Sequence, residues 1–355
     1  MTRRNQCRAA DRFCTNLNPP FLCLAQGAEM YVYTKERTLG AYTRHVNVKA
    51  HRRFAVQPVE GDSLTLELFV PAGAPEPTIE IGKISHGYKT LGFGDSGVCN
   101  INVVCPEAVG WENTRRGVGM LLTQFGSRYC SGSMINTANN SGRQLFLTAN
   151  HCMGGSVASD IVMFNYESPI CERADEQDGP TSDTVQGLEL LASYTYSDFA
   201  LLEIQEEIPA SYNVFLGGYN AMNATATTVI GIHHPSGDIK KFTRAYKTVE
   251  AAKWSVAEPG FYHWEISSWD EGTTEPGSSG SPLYDNTQRI IGQLHGGAAS
   301  CTNIAYDSYG ALWASWDQGT QKLQPYLDPD NLGTRVVDGI FLNSARKLNS
   351  KLHMQ

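Results

Sequence analysis

The sequence predicts an all-β protein, a sandwich or barrel of short strands with a partly β N-terminal region and one short C-terminal helix. Three observations carry this. Short apolar runs separated by turn signals recur between residues 99 and 317, the pattern of a closed or layered antiparallel protein. Gly (34) and Tyr (16) are abundant, a composition that favours turns and strands. Apolar residues make up 41% and charged residues 18%, enough apolar surface for a sizeable core, which excludes a wholly disordered chain.

Taken in order, residues 1–45 show no convincing period. Asp62–Val70 alternates, with Leu64, Leu66 and Leu68 on one side, as a half-buried strand does. Pro71–Pro77 reads as a linker, Thr78–Ile84 alternates again, and Gly92–Gly97 reads as a joint. These features divide the chain into residues 1–93, a domain at 94–340 and a tail at 341–355, in keeping with one large or two modest domains. Within the domain, strands are expected at Leu145–Leu147, Ile161–Phe164, Ala200–Ile204, Thr228–Ile232 and Ile290–Leu294. A helix is expected at Thr320–Leu327, stopped by Pro329.

Charge narrows the function classes. The chain has 28 Lys and Arg against 36 Asp and Glu, for a net charge of −8, a poor footprint for nucleic acid. No run of ~18 apolar residues is present, so no membrane helix is expected. Nine cysteines occur, three of them (Cys7, Cys14, Cys23) near the start and six between residues 99 and 301. No C-x-x-C pair is found, and the six allow fifteen pairings. An even set in a Gly-rich chain favours disulfides in an oxidising compartment. Arg3 and Arg4 resemble the start of a signal peptide, but Phe21–Ala25 is short for its apolar segment.

Three segments carry candidate chemistry. Leu147-Thr-Ala-Asn-His-Cys152 ends a strand on His151, Tyr196–Ile204 sets Asp198 just before an apolar strand, and Glu275–Pro282 is a tight Gly/Ser loop holding Ser279. A serine hydroxyl is a weak nucleophile. It needs a base to take its proton, and the base needs a carboxylate to fix its tautomer. His151, Asp198 and Ser279 supply these roles, and the N–H groups of Gly277 and Ser279 are placed to hold an oxyanion. The order His, Asp, Ser differs from the Ser, Asp, His order of the α/β-hydrolases, and Ser281 breaks the G-x-S-x-G pattern around Ser279.

With these segments, Cys99–Pro106, Cys130–Ser133, Ile232–Pro235, Gly292–Gly297 and Tyr326–Pro329, the chain resembles the trypsin/chymotrypsin-like serine proteases, and more closely the bacterial lysyl endopeptidases. The resemblance runs from Cys99 to about Gly339, some two-thirds of the chain. It implies a chymotrypsin-like double β-barrel with the site between the barrels and His151, Asp198 and Ser279 as the triad. It implies disulfides Cys99–Cys301, Cys105–Cys171 and Cys130–Cys152. Asp307, before Tyr309-Gly310, is implied as the carboxylate that selects Lys, with Arg the alternative, at the residue before the cut. His295, Gly296 and Gly297 are implied to lie along bound substrate, and Trp254 to lie beside the catalytic histidine. Ser278 stands where trypsin-like zymogens often carry an Asp, so activation is expected to proceed without a buried α-ammonium ion pair. Residues 1–93 are implied to be a leader and pro-region, with Lys89-Thr90 a candidate self-cleavage site. The expected product is a secreted, monomeric zymogen-derived endopeptidase acting on polypeptides, with no metal and no organic cofactor. His233 and His234 read as structural. The rival readings are a protease of broader specificity and an inactive protein-binding module of the same fold.

Overall fold

A computed structural model of the chain describes residues 22–35, 37–43, 56, 59, 63–75, 77–79, 81, 96–124, 126–173 and 176–352. Cys7, Cys14, the Lys89-Thr90 bond and the boundary near residue 94 lie outside them.

Two antiparallel sheets build a chymotrypsin-like double barrel. The first runs, in spatial order, through Thr184–Gln186, Ile161–Met163, Val118–Leu122, Arg128–Met134, Leu145–Ala149, Phe199–Ile204 and Leu188–Tyr194. Its first and last strands are joined in sequence by Gly187 alone, at φ 80°, so the sheet curls back on itself. The second runs through Glu250–Ala252, His263–Ile266, Asp307–Ala311, Arg289–Gly297, Pro282–Asp285, Val229–His233, Lys241–Ala245 and Ile101–Asn102.

The apolar runs are explained by burial on two sides. In Leu145–Ala149, Phe146 joins the core of the first barrel with Val162, Phe164 and Leu202. Leu145 and Leu147 face the other way, into a cluster with Phe199, Leu201, Ile230, Ile232 and Tyr284 that spans both barrels. A strand covered on both faces loses polar alternation and reads as a continuous apolar run. Each fully buried Leu or Phe contributes about 1.5–3 kcal/mol. This doubly covered strand and its partner Phe199–Ile204 carry His151 and Asp198 at their ends.

Among the described residues, three disulfides close the chain: Cys99–Cys301, Cys105–Cys171 and Cys130–Cys152. Their sequence separations of 202, 66 and 22 residues correspond to about 5, 4 and 3 kcal/mol of lost unfolded-state entropy on the loop-closure model.

Some elements differ from the sequence reading. Residues 1–45 contain strands Glu29–Tyr33 and Thr38–Tyr42, which join Thr65–Phe69 in a separate three-stranded sheet. Met30 and Val32 are buried there, but Tyr31 and Tyr33 on the other face are also large and aromatic, which hides the alternation. Thr65–Phe69 lies at the edge of that sheet, and Leu64 and Leu66 are exposed rather than half-buried. The expected helix at 320–327 is a single turn, Gln324–Leu327, and a helix not anticipated covers Leu312–Asp317. The 341–355 tail is largely a helix, Leu342–Leu352, with Leu342 and Ala345 buried in the first barrel's core. Arg346 ties it down through Gln144 Oε1 and Ile208 O.

Candidate active site

Register places Asp198 beside His151. Phe199 pairs with Ala149, so the residue before one and the residues after the other meet at the sheet's end. There Asn150–Cys152 forms a single 3₁₀ turn, anchored by the Cys130–Cys152 bridge. Asp198 is 2% exposed and stands at φ 49°, a left-handed conformation that Asp tolerates better than most residues. Its backbone carbonyl accepts from Asn150 N–H at 2.7 Å, its Oδ1 accepts from His151 N–H at 2.9 Å, and its Oδ2 lies 2.7 Å from His151 Nδ1. A carboxylate only accepts, so His151 carries its proton on Nδ1 and presents a bare Nε2. The imidazole is 38% exposed, open enough to meet a substrate.

Ser279 comes from the other barrel, and Ser131 fastens its loop to the first. Ser131 N–H donates to Ser279 O at 2.8 Å, and its hydroxyl donates to Gly277 O at 2.8 Å. Ser131 O in turn accepts from Thr148 Oγ1, three residues before His151. Gly280, at φ 80°, packs so closely that a Cβ would lie 2.2 Å from Thr148 Oγ1 and 2.7 Å from Ala149 N. Only glycine permits this approach. The hydroxyl of Ser279 itself makes no hydrogen bond among the described residues, so the Ser279–His151 link is not closed as the His151–Asp198 link is. Ser131 was not singled out as a site residue by sequence reasoning, although it lies in the Cys-Ser-Gly-Ser segment.

A layer of rings covers the far side of His151. His295 stacks on it at 5.5 Å between centroids and 21° between planes, and Trp254 stacks on His295 at 3.8 Å and 22°. Gly296 lies under Trp254, 3.4 Å from its ring at the position a Cβ would take. Burial lowers the His295 pKa to about 4, with Asp198 opposing and His263 and His151 adding to the fall.

Asp307 is 1% exposed on the strand between His263–Ile266 and Arg289–Gly297. Its Oδ2 accepts from Trp269 Nε1 and Thr274 Oγ1, both at 2.6 Å. A Cβ on Gly297 would lie 2.2 Å from its Oδ1, so the glycine makes room for the carboxylate. Burial raises the Asp307 pKa, against hydrogen bonds from Thr274, Trp269 and the Ala299 N–H. A recess lined by Cys99, Trp269, Thr273, Ala299 and Cys301 opens alongside. It shares Trp269 and Ala299 with Asp307, but Asp307 is not itself in its wall.

His233 and His234 point to separate partners. His233 Nδ1 lies 2.7 Å from Ser278 Oγ, and His234 Nδ1 lies 2.9 Å from Asp238 O. Burial first, and Lys241 second, lower the His233 pKa to about 3.

The chain is similar to known proteins in sequence and, more distantly, in fold. The family profile described as lysyl endopeptidase, C-terminal domain, matches residues 93–310. Lysyl endopeptidase of Pseudomonas aeruginosa is 30% identical over 281 residues, covering 72% of this chain. The chain spans 59% of that relative's length. Among solved structures, the protease Anisep from Arthrobacter nicotinovorans aligns with a TM-score of 0.40 at 18% identity, over 60% of this chain and 93% of that one. Human heparin binding protein aligns with a TM-score of 0.40 at 16% identity, over 56% of this chain and 86% of that one.

Proposed function

The chain belongs to the lysyl endopeptidase family, and from that premise we propose that it is a serine endopeptidase that cuts polypeptides after lysine. The observation that carries the reading is the His151–Asp198 pair on one barrel, with the Ser279 loop of the other fastened to the same strand end through Ser131 and Gly280. Ser279 Oγ attacks the scissile carbonyl while His151 Nε2 takes its proton. Asp198 stays ionised, holding Nδ1–H and stabilising the imidazolium. His151 returns the proton to the leaving amine, and water then releases the acyl group by the same steps reversed. Among the described residues, the N–H groups of Gly277 and Ser279 are unspent, while that of Ser278 between them bonds Glu275 O. Two free donors in this loop support its reading as the oxyanion site. No step requires a metal or an organic cofactor.

Asp307 is the buried charge that a desolvated lysine ammonium requires. We assign substrate contacts to His295, Gly296, Gly297 and Trp254. The same reading takes the protein to be secreted and monomeric, with residues 94–340 the protease and residues 1–93 a pro-region released at Lys89-Thr90. A second reading, a broader preference before the cut, is favoured by Asp307 Oδ2 already accepting two side-chain hydrogen bonds.

One experiment separates these. The full chain, expressed oxidised, digests an unstructured protein beside its Ser279→Ala variant, and cut sites are read by mass spectrometry. Cuts confined to lysine and absent from the variant are expected. Cuts after many residue types that still need Ser279 would leave a protease of broad specificity. Equal cutting by both proteins, or none by either, would overturn the reading.

A further inference from the structure

The ring layer behind His151 continues deeper than the resemblance implies. Nε2 of His295 lies 3.7 Å from Asp198 Oδ2, and its Nδ1 lies 2.9 Å from Nε2 of His263. His263 is fully buried, and its Nδ1 lies 3.5 Å from Oε2 of Glu258, which is 4% exposed. Asp198, His295, His263 and Glu258 thus form one line with a carboxylate at each end. Trp254 flanks it, its ring on His295 and its backbone N–H donating to Glu258 Oε2 at 2.9 Å. The other titratable groups facing the line are His151 against His295, and Lys253 and Tyr194 near Glu258.

Proton counting on this line has a consequence. It has three gaps: the central one, between the two histidines, is at hydrogen-bond distance, while the outer two, at 3.7 and 3.5 Å, are ion-pair contacts that tighten into hydrogen bonds only when one proton stands in each. Two carboxylates supply none and two neutral imidazoles supply two, so one gap is left with facing lone pairs. A third proton bridges all three and turns His295 Nε2–H toward Asp198. We propose that His263 and Glu258 are positioning residues of the active site: they set whether His295 directs a hydrogen or a lone pair at Asp198, and so tune the carboxylate that orients His151.

The proposal rests on the catalytic reading of His151, Asp198 and Ser279. When His295 also donates to Asp198, the carboxylate shares its charge and holds imidazolium at His151 less strongly. His151 then stays a free base to lower pH. Burial lowers His263 to about 4 and raises Glu258, which favours the Glu258 carboxyl as the seat of the third proton.

Two variants move the line in opposite directions. Glu258→Gln keeps a carbonyl on the Trp254 N–H and cannot carry the third proton, so His263 donates to it and His295 turns a lone pair to Asp198. His263→Phe removes the partner of His295 Nδ1, so His295 keeps its hydrogen on Nε2, facing Asp198. Ring-¹⁵N-labelled full-length protein, titrated by NMR from pH 4 to 9, reads the His295 tautomer directly. The pH profile of kcat/KM on a lysyl peptide reads its effect. The acid limb should rise by about one pH unit in Glu258→Gln, roughly tenfold at the acid end and the equivalent of one charge-assisted hydrogen bond. It should fall or stay in His263→Phe, with opposite His295 tautomers in the two proteins. Loss of packing alone would lower stability without opposite shifts. The same His295 tautomer at every pH in wild type and both variants overturns the proposal. Failure of a fluorophosphonate to label Ser279 in the wild type would overturn the catalytic reading instead, and the NMR titration would still decide the line.

Discussion

Asp307→Asn isolates the charge of the proposed lysine pocket from its shape. Asp307 is 1% exposed, and its Oδ2 already serves Trp269 and Thr274. Asn keeps one oxygen for those two donors and nearly the same volume, so the strand and its neighbours hold. What disappears is the negative charge that a buried ammonium would meet. Leaving a buried charge unpaired costs about 3–5 kcal/mol. At about 1.36 kcal/mol per tenfold, kcat/KM for a lysyl peptide should fall roughly 150- to 5,000-fold. The assay compares peptides identical except for lysine, arginine or norleucine before the cut. Norleucine keeps lysine's four-carbon chain without its ammonium group, and its rate should change less than about threefold. The acid side adds a second signature. Burial holds the Asp307 carboxyl above the ordinary range, so it takes up a proton sooner than an exposed aspartate as pH falls. The lysine-to-norleucine ratio should therefore decline on acidification in the wild type and stay flat in the variant. Equal loss for lysine and norleucine would show that Asp307 acts on the fold. An unchanged lysine rate would place the selecting charge elsewhere.

Two further outcomes follow from the packing. Burial keeps His233 and His263 neutral in the native state down to about 3 and about 4, while unfolded histidine takes up protons from about pH 6.5. Stability is then complete above pH 6.5 and falls by ~1.4 kcal/mol per pH unit for each histidine as pH drops toward 4. Urea midpoints at pH 7.5 and 4.5 check this, and equal midpoints would contradict it. Gly280→Ala must lift the Ser279 loop off Thr148, because its Cβ would lie 2.2 Å from Oγ1. Turnover should fall by about 100-fold or more through misplacement of the nucleophile. Gly154→Ala, where nothing lies within 4 Å of the added Cβ, is the control, and Gly280→Ala turning over like that control would refute the clamp.

Legibility in the sequence followed how local each feature is. The strands ending at His151 and beginning at Asp198 were readable because burial on both faces makes them unbroken apolar runs, and their pairing brings the two residues together. Pairing of the six cysteines was not readable from spacing and entered only through family resemblance. Ser131 escaped notice as a site residue because its role lies in contacts 146 and 148 residues away, to Gly277 and Ser279. The line through His263 and Glu258 escaped for the same reason. Its residues lie on the His263–Ile266 strand, the loop before it, the Arg289–Gly297 strand one further across the sheet and, for Asp198, the other barrel, with no motif among them. Helix Leu342–Leu352 was missed because, among its described side chains, Leu342 and Ala345 alone are buried, while Leu348 is exposed, too thin a stripe to stand out.

Ser278 shows how a neutral contact can hold the Ser279 loop. It is fully buried, and its hydroxyl accepts from Glu275 N–H at 3.1 Å. The one hydroxyl proton is then left for His233 Nδ1 at 2.7 Å, so His233 carries its own hydrogen on Nε2. Burial favours that neutral ring, since a charged one would stand beside Lys241 in a dry interior. Glu275, at the head of the loop, also accepts from Gly97 N–H at 2.9 Å and Asn100 Nδ2 at 3.1 Å. Ser96 donates through both backbone and hydroxyl to Asp238, at the end of the turn that donates from Ser236 N–H to Pro276 O. The entering chain and the Ser279 loop are thus braced against the same turn by hydrogen bonds from interior groups of the chain. A new α-ammonium group has no charge at Ser278 to pair with. On the proposed function, cleavage upstream of residue 94 would therefore act by releasing the preceding segment, while the loop's conformation would not depend on the new amine. Acetylating that amine in the processed protein should leave kcat/KM unchanged, whereas a loss comparable to Ser279→Ala would show that the charge is needed after all.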